Sequence, residues 1–172
     1  TGDASGDTVT NMENITSSYS DFLYGNEVSN NMYGAGMIEG FLGNDVIRAQ
    51  STITSYASYA NAGNAYLASQ GITSGAGVGV VASLTTSFSV GSAVITTGDA
   101  AGDTYDGNVR NMMGSAFNDT LIGNTNANIL NGGAGDDILE VLAGADSLMG
   151  GAGIDTASYV HASSSVTVDL SA

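Results

Sequence analysis

The chain has 172 residues, with 17 acidic side chains against two basic ones, a single histidine, and neither cysteine nor proline. A formal charge of −15 leaves the carboxylates to be solvated, protonated or bound to cations, and the same field repels phosphates and anionic headgroups, so neither nucleic acid nor a membrane surface is expected as a partner. No apolar run approaches the length of a bilayer span, and the apolar 42% is largely Ala, Val, Ile and Leu scattered among Gly, Ser, Thr and Asn, which suits packing of small-residue repeats better than a core of large side chains.

Taken in chain order, the sequence divides into four stretches. Residues 1–48 open on GDASGDT at Gly2 to Thr8, a polar, acidic start that does not read as a secretory signal. The segment returns as GDAAGDT at Gly98 to Thr104, and behind the two copies SDFLYGN from Ser20 matches NDTLIGN from Asn118 while NNMY from Asn30 matches NILN from Asn128. The chain is an internal duplication, and 1–48 is its degenerate first module. Its best unit is GFLGNDVIR, Gly40 to Arg48, carrying Asp45. YGAGMIE from Tyr33 is too short for a nine-residue register, so stacking is expected to be interrupted there. Residues 49–97 hold no register; GAGVGVVASLTTSFSVGSAVITT is rich in β-branched and small residues and reads as short strands in an insertion.

Residues 98–158 carry the clearest signal. From Gly114 the sequence divides without a gap into GSAFNDTLI, GNTNANILN, GGAGDDILE, VLAGADSLM and GGAGIDTAS. Position six of these units holds Asp119, Asn128, Asp137, Asp146 and Asp155, and position eight holds Leu121, Leu130, Leu139, Leu148 and Ala157. The last stretch, 159–172, ends in VTVDLSA and reads as a strand continuing the array.

These units resemble the RTX nonapeptide GGxGxDxUx, a calcium-binding β-helix motif, most closely at Gly132 to Glu140 and Gly150 to Ser158. The wider context, with DTASY at Asp155 to Tyr159 and SVTVDLSA before the end, also resembles long bacterial RTX surface proteins. The resemblance implies an all-β fold, a parallel β-roll or β-solenoid in which the first six residues of each unit turn and the last three form a strand. Consecutive glycines tolerate positive φ and let carbonyls turn inward, and calcium takes six to eight oxygens, so carbonyls of one turn and carboxylates of the next suit it.

If two units make one coil, turns on one side lie eighteen residues apart. That puts Asp119, Asp137 and Asp155 in one column and Asn128 with Asp146 in the other. The resemblance then implies Ca2+ ligands at Gly114, Ala116, Asn118, Asp119, Gly132, Ala134, Asp136, Asp137, Gly150, Ala152 and Asp155, with sites between the 114 and 132 turns and between the 132 and 150 turns. The Asn128 and Asp146 column is weaker, because Val141 and Leu142 would be strained where the motif wants glycine. In the first module Asp21, Asn30 and Asp45 are further candidates. The GD-x-x-GD segments pair Asp3 with Asp7 and Asp99 with Asp103, either as extra calcium loops or as solvated turns.

The core of one inward side chain per nine residues is thin, and the column carboxylates repel one another, so calcium binding would become folding free energy. His161 beside serines reads as a surface residue and not as a catalytic base, so no enzyme activity is expected. The resemblance implies an extracellular, calcium-dependent structural segment at the bacterial cell surface, associating with copies of itself as a filament, surface layer or adhesin stalk. The alternatives are a ligand-binding adhesin module, with cell-surface polysaccharide as a possible partner, and the secretion-associated tail of an exported enzyme.

Overall fold

In a computed structural model of the chain the described residues are 13–26, 28–50, 55–62, 79–85, 100 and 103–168, with the side chains of residues 18–21 left aside. They form twelve strands: β1 Asn14–Tyr24, β2 Asn31–Glu39, β3 Val46–Ala49, β4 Tyr56–Ser58, β5 Val81–Ser83, β6 Thr104–Tyr105, β7 Asn111–Met113, β8 Thr120–Ile122, β9 Ile129–Ala134, β10 Ile138–Glu140, β11 Ser147–Ala152 and β12 Thr156–Ser158. Every strand pair is parallel. One sheet runs β11-β9-β7-β4-β2-β3-β6, with β1 also on β2, and a second runs β12-β10-β8-β5. The described residues form a parallel β-solenoid of about 6 turns.

Side-chain alternation fixes the register. Thr120, Ile138 and Thr156 pair along one face, Asn111, Ile129 and Ser147 along the other, which is the eighteen-residue coil expected from two nonapeptides. Position eight points inward: Leu121, Leu130 and Leu139 are fully buried and join Met32, Ile38, Ile47, Ala57, Ala82 and Met112 in one continuous core. Position seven points outward, as Ile138 does at 43% exposure.

The first module departs from expectation. Stacking is not interrupted at YGAGMIE; those residues lie inside β2, whose first half pairs with β3 and whose second half pairs with β4. A straight strand replaces one of the two turns, so Asn30 and Asp45 stack at a separation of 15 residues. Gly36, with φ of 101°, lies near the middle of this long strand, where pairing passes from β3 to β4. The 49–97 stretch likewise contributes to the stack, since β4 pairs with β7 and β5 with β8.

The duplication survives in three dimensions. Ile38 in β2 pairs with Ala57 in β4, as Leu139 in β10 pairs with Ala157 in β12. After each strand comes the same turn: Ala62 donates its N–H to Tyr59 O at 2.9 Å, and Ala162 to Tyr159 O at 3.0 Å. Glu39 and Glu140 each tie down that turn, accepting from Asn61 N–H at 2.9 Å and from His161 N–H at 3.2 Å.

Candidate metal centre

The turns between strands share one construction. At position six the Asp Oδ1 accepts the N–H of its counterpart in the preceding coil, in Asp119 N–H to Asp137 (2.8 Å), Asp137 N–H to Asp155 (3.1 Å) and Asn128 N–H to Asp146 (2.9 Å). Val80 donates to Asp119 at 2.6 Å, so the first column begins with a valine. In the first module Asn30 donates to Asp45 at 2.8 Å and Asp45 to Asp103 at 2.9 Å, forming a third column. Parallel stacking places each carboxylate over the amide below it, which satisfies one oxygen and leaves the second to be accounted for.

What happens to the second oxygen depends on the residue at position two. Ser115 donates its N–H to Asp119 Oδ2 at 2.6 Å and its hydroxyl at 3.0 Å. Where position six is asparagine, with a single oxygen, that oxygen takes the cap: Asn124 N–H donates to Asn128 Oδ1 at 2.8 Å and Asn26 N–H to Asn30 Oδ1 at 2.9 Å. These are closed turns. In the 132 turn, position two is Gly133 with φ of 107°, in the 150 turn Gly151 with 113°, and in the 40 turn Phe41 with 65°. A positive φ swings the position-two N–H away from the acid, and Asp137 Oδ2 and Asp45 Oδ2 are left buried with no hydrogen-bond partner. These are open turns.

An orphaned buried carboxylate oxygen costs several kcal/mol if charged, and burial raises the pKa of Asp137, with the charges of Asp119, Asp155 and Asp136 adding to the rise. Asp119 is also raised by burial, but the donors from Val80 and Ser115 counter it. The Asp137 oxygen faces Gly132, where a β-carbon would collide with it and stand 2.7 Å from Gly150 O. The niche is thus lined by a carboxylate and a carbonyl of the next coil, an all-oxygen donor set that suits calcium. Among the described residues no three acidic or histidine side chains converge on a point, so the remaining ligands there would be carbonyls. Asp137 and Gly150 are the residues that fit the ion; the 114 turn, closed by Ser115, fits it less well.

The other expected ligands are scattered. Asn118 and Asp136 form an outer, exposed ladder, in which Asn118 Oδ1 accepts Asp136 N–H at 2.9 Å and Asp136 Oδ1 accepts Ile154 N–H at 2.8 Å. Ala134 and Ala152 lie in strands β9 and β11, which run on through the glycine pairs, and Ala152 O accepts Gly135 N–H at 2.8 Å. Ala116 is exposed. Asp146 has its acid over Asn128, and neither Val141 nor Leu142 has positive φ; only Gly144 does in that turn, so the strain expected there is absent. Asp21 lies in strand β1 opposite Gly36, not in a turn. Asp3, Asp7 and Asp99 fall outside the described residues. Asp103 is buried beneath Asp45 and accepts Tyr59 O–H at 3.1 Å; Tyr59 and Tyr105 meet through their hydroxyls. Burial pushes Asp45 up to about 6 and Asp103 up to about 8.

The capping residues and the tyrosine pair escaped the sequence reading. The caps had a signal, a polar residue directly after the leading glycine at Asn26, Ser115 and Asn124.

The family model described as RTX calcium-binding nonapeptide repeat (4 copies) matches this chain in two overlapping stretches, residues 113–147 and 122–157. No curated protein matches it. The matched stretches contain both the open 132 turn and the open 150 turn, and residues 113–157 are accordingly RTX nonapeptide repeats, whose ion is calcium.

Proposed function

We propose that this chain is a non-catalytic, calcium-triggered structural segment of a secreted bacterial surface protein, which associates end to end with copies of itself. Proteins carrying RTX repeats are typically secreted by bacteria, and an extracellular calcium module of this kind typically binds in the 10⁻⁴ to 10⁻³ M range. Such a segment stays unfolded in the low calcium of the cytoplasm and folds after export.

The observation that carries the self-association is a contrast between equivalent strands. In the first module β4 is covered by β7 and β3 by β6, and Ala57, Ser58 and Tyr59 are fully buried. In the second module the corresponding β11 and β12 have no further strand beyond them among the described residues, and Ala157 is exposed. Ile154 at 82% and Val160 at 75% extend this apolar end. An open strand edge with an apolar cross-section recruits another strand, and the coil that covers its twin inside the chain is the template for what fits.

Sedimentation velocity on the chain with millimolar calcium, and again with chelator, tests the reading. Calcium is expected to turn an extended monomer into species of at least twice the mass. A folded chain that stays monomeric in calcium at tens of micromolar would overturn the assembly, and circular dichroism unchanged by chelator would overturn the trigger.

A further inference from the structure

The two modules repeat each other strand by strand, and one pairing made inside the chain lacks its second copy. The first half of β1 is the duplicate of β7: Asn14 and Ile15 pair with Asn31 and Met32 of β2 as Asn111 and Met112 pair with Ile129 and Leu130 of β9. β12 is the duplicate of β4, with Ala157 opposite Leu139 as Ala57 is opposite Ile38. Where the first module runs into the second, β4 lies against β7, with Tyr56 opposite Asn111, Ala57 opposite Met112 and Ser58 opposite Met113. Among the described residues β12 pairs only with β10 and β1 only with β2. Both show the missing neighbour in their burial: Ala57 and Met112 are fully buried, whereas Ala157 is exposed and Ile15 only partly buried. The backbone agrees. Tyr59 N–H donates to Met113 O at 2.8 Å across the internal junction, and Tyr159 and Thr16 are the duplicates of that pair. Glu13 O accepts Asn31 N–H at 2.6 Å, so the backbone groups of Glu13 and Ile15 face β2 and those of Asn14 and Thr16 face the uncovered edge.

We propose that β12 of one molecule receives β1 of a second copy as a parallel strand, with Thr156 opposite Asn14, Ala157 opposite Ile15 and Ser158 opposite Thr16. The proposal rests on the end-to-end association above and adds the strand and the register through which it occurs. Ile15 then closes the core over Ala157 as Met112 does over Ala57, and Tyr159 N–H finds the Thr16 carbonyl. One residue earlier, Ser55 and Arg110 of the internal junction are replaced by Asp155 and Glu13. Two acids side by side make the contact between copies weaker than the internal contact it imitates.

Disulfide trapping reads the register directly, because the chain has no cysteine of its own. Opposed residues on neighbouring parallel strands lie about 5 Å apart, within reach of a disulfide, and residues offset by two along the strand about 8 Å apart, beyond it. In calcium, chains carrying Ser158→Cys are expected to cross-link to chains carrying Thr16→Cys at least tenfold faster than to chains carrying Asn14→Cys. Thr16→Pro removes an N–H from the uncovered edge and none from the ladder between β1 and β2, so its circular dichroism in calcium should match that of the parent while its association falls at least tenfold. Oligomers that cross-link without that preference, or that survive Thr16→Pro, would overturn this junction and leave end-to-end association standing; a parent chain that sediments as a monomer in the same buffer would overturn both. Should Thr16→Pro fail to fold, the cross-linking ratio alone decides.

Discussion

Two turns one coil apart, Gly114–Asp119 and Gly132–Asp137, stack on the same column, bury the same acid and pass the same hydrogen bond down the ladder. They differ at positions two, four and five, and position two is the one whose residue hydrogen-bonds the acid in the first turn. Ser115 folds back on Asp119 and gives it three further hydrogen bonds, while Gly133, at a φ that serine rarely adopts, leaves an oxygen of Asp137 bare. The first turn carries its own substitute for a cation; the second must obtain one from solution. A solenoid of this kind therefore need not bind an ion at every acid. Among the described turns a hydroxyl or amide cap closes some, while a positive φ at position two leaves the acid oxygen of others bare.

The largest effect follows from forcing the open turn shut. A methyl group at Gly133 would meet Ser115 O, a backbone atom that cannot move aside, at a φ of 107°. Gly133→Ala is expected to cost about 3 kcal/mol or more from strain and clash, read as a large fall in the melting temperature of the calcium-loaded chain. Gly107, with ordinary φ and nothing within 4 Å of its would-be β-carbon, is the control; Gly107→Ala should stay within about 1 kcal/mol of the parent. Equal losses at both positions would mean that glycine is needed for reasons other than the open turn.

A smaller effect separates the two acids. Asp137→Asn removes a charge whose second oxygen has no internal donor, and calorimetry should show calcium affinity down at least tenfold, about 1.4 kcal/mol. Asp119→Asn should change it less than threefold, because the closed turns at Asn30 and Asn128 already work with an amide at that position. Equal losses from the two variants would erase the distinction between open and closed turns.

Much of this architecture was written in the nonapeptides. Leucines at position eight, eighteen residues apart on each face, are the direct trace of an inward side chain on stacked strands, and they fixed fold, coil and register over residues 114–158. The stack of acids was legible for the same reason, since Asp119, Asp137 and Asp155 share that spacing. What the residues concealed was everything that depends on stacking across unequal distances. Val80 begins the first column with no acid, 39 residues before Asp119, and Asp103 looked like the partner of Asp99 in a local loop although its amide-bound neighbour is Asp45, 58 residues away. The straight run through YGAGMIE was missed because a strand that bypasses a turn breaks the period without breaking the stack. Val141 and Leu142 were expected to be strained because the motif was read as a fixed backbone shape; the 141 turn takes another shape, with its single positive φ at Gly144.

The finest distinction is between removing the Ser115 cap and opening the turn. Ser115→Ala and Ser115→Gly both delete the hydroxyl that reaches Asp119, and each forfeits about 1–2 kcal/mol from the lost charge-assisted hydrogen bond. Only glycine, however, can take positive φ without penalty, swing its N–H aside as Gly133 does, and leave the second Asp119 oxygen bare. In calcium the two variants should diverge. Ser115→Gly should recover most of its lost stability and bind one more ion per chain by calorimetry, while Ser115→Ala should recover nothing beyond the parent. The carbonyl of Gly132 already stands next to the niche at Gly114, so no other group has to move to receive the ion. If both variants keep the parent stoichiometry, the orientation of the position-two peptide does not select for calcium, and the selection must lie in the carbonyls of the neighbouring coil instead.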